Sequence, residues 1–186
     1  MSTGAPGQGV SPVAVRRPGA ADVPALAALA AVTFPLACPP SSTPADHAAF
    51  VAAHLTPDRF AAYLADADRD LLVADDAGEL VGYTMLIAGE PSAADVAAAV
   101  PVRPTVELSK CYVLPGRHGA GVADLLMAAS LDAARARGAA GVWLGVNGEN
   151  TRAQRFYLRS GFAVVGTRTF QVGAQQHHDQ VLHHPL

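Results

Sequence analysis

From Tyr112 the chain reads YVLPGRHGAGVADLL, an apolar strand run, a glycine-rich turn and a helix in direct succession. A strand that feeds a helix this way belongs to an α/β domain in which the helix packs back on the sheet. The junction also creates a helix N-terminus, where unpaired N–H groups and partial positive charge gather. Glycine lets a phosphate approach those groups without Cβ interference. The segment is therefore a candidate pyrophosphate cradle, with a plain tight turn as the alternative. It is neither a P-loop nor a dinucleotide fingerprint, because the Lys-Ser/Thr pair and the third glycine are missing.

The remaining pattern fits one α/β domain over 13–184, preceded by a Gly/Pro/Ser-rich leader over 1–12 that is read as flexible. A strand over 13–17, a capping Asp22 and a helix over 23–33 come first. Residues 34–44 hold four prolines and read as a loop or broken helix, followed by short helices over 45–55 and 58–66. LLVADDAGELVGYTMLI is two strands around an Asp75-Asp76-Ala77-Gly78 turn, with Gly82 marking a bulge or a close backbone approach. Residues 90–104 read as a loop with a short Ala-rich helix, 105–113 as a strand and 115–121 as the glycine turn. The helix over 122–137 carries an apolar stripe of Val122, Leu125, Leu126, Ala129 and Ala133, and Gly138 stops it. A strand over 141–146, a helix over 151–160 ended by Gly161, and strands over 163–172 and 177–182 complete the order.

A formal charge of −3 gives no footprint for a nucleic-acid partner. Cys38 and Cys111 are too few for a disulfide framework or a zinc spacing, and read as reduced thiols in a cytoplasmic protein. No apolar run is read as approaching the ~18 residues of a membrane span. The leader lacks a basic region followed by an apolar stretch, so neither a signal peptide nor a membrane partner is expected. Strand alternation puts His178 and His184 on one face and His177 and His183 on the other, without a four-ligand set. No metal is expected there, and the segment reads as an edge strand with exposed polar residues. Cys111 has no activating partner beside it in the sequence, which favours a small buried apolar residue over an acyl-carrying nucleophile.

Residues 147–162 read NGENTRAQRFYLRSGF. Asn150 and Tyr157 lie two helical turns apart on one face, with the small Ala153 between them. Alone, a capping Asn and a core Tyr would account for the pair. Set beside the upstream glycine turn, the segment resembles the GNAT superfamily of N-acetyltransferases. The superfamily signature Asn-x-x-Ala-x-x-Phe-Tyr-x-x-x-Gly-Phe is matched by Asn150, Ala153, Phe156, Tyr157, Gly161 and Phe162 without departure. Its motif A, Arg/Gln-x-x-Gly-x-Gly/Ala, is matched at Gly121 and Ala123. His118 stands where Arg or Gln is usual, and Arg117 one position earlier is the candidate replacement for that charge. The resemblance implies a single-domain GNAT fold: a mixed, mostly antiparallel sheet of six to seven strands, flanked by helices and splayed between the fourth and fifth strands. It implies acetyl-CoA as co-substrate, its pyrophosphate held by main-chain N–H groups of Gly119, Ala120, Gly121, Val122 and Ala123. It further implies that Asn150 hydrogen-bonds the pantetheine arm and that Tyr157 donates a proton to the departing CoA thiolate.

Acetylating an amine requires the neutral amine, so a group or a water chain must take its proton. Glu107 is the candidate base, six residues before Val113, and a Glu at a similar place serves as base in histone-modifying superfamily members. Alternation places Glu107, Ser109, Cys111 and Val113 on one face. A strand-end carboxylate in a salt bridge or in solvent is the alternative reading. Tyr112 and Val113 are placed beside the co-substrate, and the N–H of Val113 or of a neighbour is expected to polarise the thioester carbonyl. Glu107-Leu108-Ser109-Lys110, Trp143-Leu144-Gly145-Val146, residues 170–173 and Asp179 resemble the bacterial spermidine/spermine N-acetyltransferase-like branch. That branch usually carries Trp-Glu where this chain has Asn147-Gly148. A small-molecule amine, polyamine-like, is thus the expected acceptor. A protein N-terminus, an amino acid, an amine antibiotic and a non-catalytic acyl-CoA sensor are the alternatives. The acceptor site is expected from residues 34–66 and 90–104, with Asp179 against a cationic acceptor, and a homodimer is the assembly the superfamily suggests.

Overall fold

The computed structural model describes residues 13–117, 121–172 and 175–186. The leader over 1–12 and the turn residues His118, Gly119 and Ala120 lie outside them. In chain order the elements are β1 (Ala14–Arg16), α1 (Val23–Thr33), α2 (Pro44–His54), α3 (Pro57–Ala65), β2 (Arg69–Asp76) and β3 (Glu79–Ala88). Then come α4 (Ala94–Ala99), β4 (Thr105–Val113), α5 (Val122–Ala136), β5 (Gly141–Asn147), α6 (Thr151–Arg159), β6 (Ala163–Val172) and β7 (Gln175–Pro185). The strands form one sheet in the order β1-β2-β3-β4-β5-β7-β6. Every pairing is antiparallel except β4 with β5. Helices α1 and α3 cover one face, with Leu26 and Phe60 against Val73, Tyr83 and Met85. Helix α5 covers the other, with Leu126 and Met127 over Val81, Leu86, Leu108 and Val113.

Local chemistry explains most boundaries. Thr43 and Thr56 cap α2 and α3 by accepting the N–H groups of Asp46 and Arg59, and a proline opens each helix. The β2–β3 hairpin turns on Ala77 (φ 52°) and Gly78 (φ 94°), the paired positive φ values of a tight hairpin turn. Gly82 fulfils both expectations placed on it. The ladder slips between Ala74 and Asp75, so Val81 is an extra residue on β3. A Cβ on Gly82 would sit 2.9 Å from Leu126 Cδ1 and 3.0 Å from Tyr112 O.

Several expectations are corrected. Asp22 stands at the N-cap of α1 without capping it, because Arg16 and the Gly19 N–H hold its carboxylate. Leu125 is 46% exposed. The buried stripe of α5 is instead Val122, Leu126, Met127, Ser130 and Ala134. Ser130 sits in the core by bonding Thr84 Oγ1 (2.8 Å) and Leu126 O (2.7 Å), which an apolar pattern cannot reveal. Strand β7 is internal, between β5 and β6, and its His183 is buried. Ala20–Ala37 is 18 residues long with a mean hydropathy of 1.6, enough in length and composition to cross a membrane. Here it is α1 flanked by 3-10 turns, with Leu26 and Ala30 fully buried in the core.

The close fit around Gly82 yields a first prediction. Gly82→Val forces the branched side chain into Leu126 and the β4 backbone, and lowers unfolding free energy by about 1–3 kcal/mol in a denaturant titration. An unchanged midpoint would mean that α5 does not pack this tightly on β3.

Candidate active site

Strands β4 and β5 are in register at Thr105↔Gly141, Val106↔Val142 and Glu107↔Trp143, and beyond Glu107 no further pair follows among the described residues. The sheet therefore opens between them. Leu114 N–H donates to Val81 O (2.9 Å), which makes Gly82↔Val113 a non-hydrogen-bonded pair by ladder alternation. The N–H groups of Cys111 and Val113 consequently point away from β3, toward the opening. A cleft of roughly 1210 Å³ occupies it.

A second irregularity decides what faces the cleft. Leu86 pairs with Leu108 but Met85 pairs with Lys110, so Ser109 is an extra residue on β4. This bulge reverses the alternation. Cys111 and Val113 point toward α5 and α6, whereas Glu107, Lys110 and Tyr112 lie on the face covered by α1 and α3. The expected common face for Glu107, Ser109, Cys111 and Val113 is thereby corrected. Tyr157 and Glu107 reach the opening from opposite sides of the sheet, and both line the cleft.

On the α6 side, Asn150 caps the helix, its Oδ1 accepting the Ala153 N–H (3.0 Å). Asn147 Oδ1 accepts from Glu149 N–H, and Gln154 Nε2 donates to the carbonyls of Asn147 and Gly148. The asparagine-rich entry is thus a rigid cap. Two turns on, the Tyr157 side chain and the Cys111 thiol pack against the same core cluster, near enough for each to affect the other's proton affinity. Burial raises the Tyr157 pKa well above the usual phenol value, with Cys111 and Tyr112 adding to it. Burial likewise pushes the Cys111 thiol up to about 12. A thiol with its pKa raised this way is mostly protonated at neutral pH, and Cys111 is part-buried and lines the cleft, where a fully buried residue was expected.

At the head of α5, Gly121 takes φ 77°, a left-handed conformation that suits glycine. Gly121 and Ala123 line the cleft, while the Val122 side chain is buried in the core. Arg117 also lines the cleft, but it pairs with Asp76 (2.6 Å) and Glu79 (3.5 Å) of the β2–β3 hairpin.

On the opposite face, burial raises the pKa of Glu107 while the positive charges of Arg168, Lys110 and Arg69 oppose the shift. Arg168 has its guanidinium carbon 5.8 Å from the centre of the Trp143 ring, its Nη2 3.4 Å from Asp179 Oδ2 and its Nη1 4.0 Å from Glu107 Oε1. Gly145 makes room for it, since a Cβ there would lie 2.3 Å from the guanidinium. Asp179, expected to meet a cationic acceptor, lines the cleft while buried against Arg168. Phe34 and Phe50 stack at 4.2 Å, and with His54 and Tyr63 they form an aromatic wall. The segment over 90–104 does not contribute. Its α4 residues Val96 and Val100 pack on Trp143 and Val181, away from the cleft. The aromatic wall falls in the 34–66 stretch expected to build the acceptor site, whereas Lys110 and Arg168 had no assigned role, and the one available signal for Arg168 was Gly145 within a strand.

A mixed sheet that opens beside a parallel pair, with a glycine-headed helix and a capped helix on one face, defines an acyltransferase fold. The chain belongs to the Acetyltransferase (GNAT) family, whose profile matches residues 36–162, and it is an N-acetyltransferase. An uncharacterized N-acetyltransferase of Mycobacterium tuberculosis is 50% identical over 161 residues, 87% of this chain and 96% of that one. Streptothricin acetyltransferase of Streptomyces lavendulae is 38% identical over 102 residues, 54% of this chain and 48% of that one. The PaiA N-acetyltransferase of Thermoplasma acidophilum, solved with coenzyme A, superposes with a TM-score of 0.75 at 14% identity, over 95% of this chain and 100% of that one. The spermidine/spermine-like branch draws no support from these likenesses.

The raised thiol pKa predicts slow alkylation of Cys111. Iodoacetamide at pH 8 should modify it at least roughly tenfold more slowly in the folded protein than in urea, read by peptide mass spectrometry. Equal rates would place the thiol in solvent, away from Tyr157.

Proposed function

We propose that the cleft transfers the acetyl group of acetyl-CoA to a primary amine of a small molecule, by direct attack in a ternary complex. One observation carries the reading: the strands part where Tyr157 and Glu107 face the same opening from opposite sides of the sheet. Acetyl-CoA supplies an activated acyl group. The unpaired N–H groups along β4 suit its amide-rich arm and its thioester carbonyl, with Val113 as the polarising donor and Tyr112 beside it. The described part of the cradle, Gly121 to Ala123 at the head of α5, suits its phosphates, and His118, Gly119 and Ala120 are assigned to the same cradle. Asn150 keeps its amide NH₂ as a donor for the arm while its oxygen caps α6. Ala153 leaves the arm room.

Proton movement then divides between the two faces. Glu107, or water held by it, takes the proton of the incoming ammonium, and its raised pKa makes it a better base than an exposed carboxylate. Tyr157 keeps its proton at neutral pH and delivers it to the departing thiolate. Cys111 carries no acyl group in this scheme.

The polyamine preference is not supported by the charges in the cleft, where Lys110 and Arg168 face the acceptor side with Glu107. The streptothricin acetyltransferase likeness favours the amine antibiotic among the alternative acceptors.

The test is CoA thiol release from acetyl-CoA with spermidine, spermine, streptothricin, single amino acids and a short peptide as acceptors. Amine-dependent release should fall at least roughly a hundredfold in kcat for Tyr157→Phe. Wild-type kcat/KM should decline as pH drops through the raised pKa of Glu107, because the base is then protonated. Glu107→Gln should lose that acidic limb. Turnover unchanged in Tyr157→Phe would remove the tyrosine as acid, and an acidic limb that persists in Glu107→Gln would move the base elsewhere.

A further inference from the structure

Lys110 is the side chain that the acetyl-transfer scheme does not use. The Ser109 bulge turns it onto the same face as Glu107, and it lines the acceptor side of the cleft. It is half-buried, and no carboxylate lies within ion-pair distance of its ammonium among the described residues. Its neighbouring cations are engaged: Arg69 pairs with Asp66 (2.9 Å), and Arg168 with Asp179. Nζ lies 5.9 Å from the centre of the Tyr63 ring. That ring is fixed by a hydrogen bond from its hydroxyl to His54 O (3.1 Å) and by Arg69 over the ring at 4.8 Å. A half-buried cation without an ion-pair partner is unfavourable in a resting protein, and such groups cluster where a ligand supplies the missing charge. Burial lowers its pKa to about 8, and the Glu107 charge opposes that fall.

We infer that Lys110 is the anion-recognition point of the acceptor site, and that the acceptor is an amine that also carries a carboxylate. The inference rests on the acetyl-transfer reading and narrows its acceptor class. Glu107 and Lys110 then form a matched pair for a zwitterion, with Glu107 toward the ammonium and Lys110 toward the carboxylate. The Tyr63 ring beneath Lys110 Nζ also lines the cleft and gives the acceptor's aliphatic spacer an apolar wall. A polyamine offers nothing for Lys110 and adds like charge to it.

The test is calorimetry on the CoA-saturated protein, with a series of N-acetylated amino carboxylic acids of increasing chain length, each set against its carboxamide. At the fitting length the carboxylate should bind roughly tenfold more tightly than the carboxamide. Lys110→Met should abolish that preference and Lys110→Arg should retain it, with CoA affinity unchanged in both. The inference is overturned if wild type shows no preference at any length, or if the preference survives in Lys110→Met. Because calorimetry needs no turnover, the two readings can fail separately. A carboxylate preference without CoA release would remove the transferase scheme and keep the anion point; turnover without the preference would do the reverse.

Discussion

The parting of β4 from β5 is the constraint on which the rest of the molecule depends. A sheet interior normally satisfies every backbone group, and unpaired N–H groups are costly away from water. Here the ladder between the two strands ends at Glu107↔Trp143. The two adjoining features make sense only beside that gap. The Ser109 bulge sends Glu107 and Lys110 to one face and Cys111 to the other, so a single strand serves both sides of the opening. Gly145 on the facing strand clears space for Arg168, which sets a guanidinium between Glu107 and Asp179.

The two faces differ in chemistry as well as in contents. On the α6 side, Tyr157 and Cys111 are both pushed by burial to hold their protons. The α1 side is charged, with carboxylates and cations in mutual contact over aromatic rings. Proton donation and proton acceptance ask for these opposite environments, and a sheet between them keeps the two from neutralising each other.

Much of this was legible in the sequence wherever the signal is local. Helix α1 follows from apolar spacing, the β2–β3 hairpin from Ala77-Gly78, and the Asn150–Tyr157 face from two turns of helix. The glycine junction announced α5 and its left-handed Gly121. What stayed hidden depends on register and on contacts distant along the chain. Nothing in Ser109 marks it as a bulge, because the slip is set by how Leu86 and Met85 pair. The internal place of β7 depends on a strand order, β5-β7-β6, that no single strand encodes. Ser130 in the core and Leu125 outside reverse a pattern read from apolarity alone, since a hydroxyl with two partners is as comfortable inside as a methyl group.

The gap also ties the protein's persistence to its chemistry. Three registered residue pairs join β4 to β5, and their ladder stops where the ligand would lie. A molecule with amide groups that fills the opening and binds the folded chain alone acts as a transient strand, and by mass action it raises the free energy of unfolding with its concentration. The stability of the folded protein then rises with the supply of the compound that fills the gap.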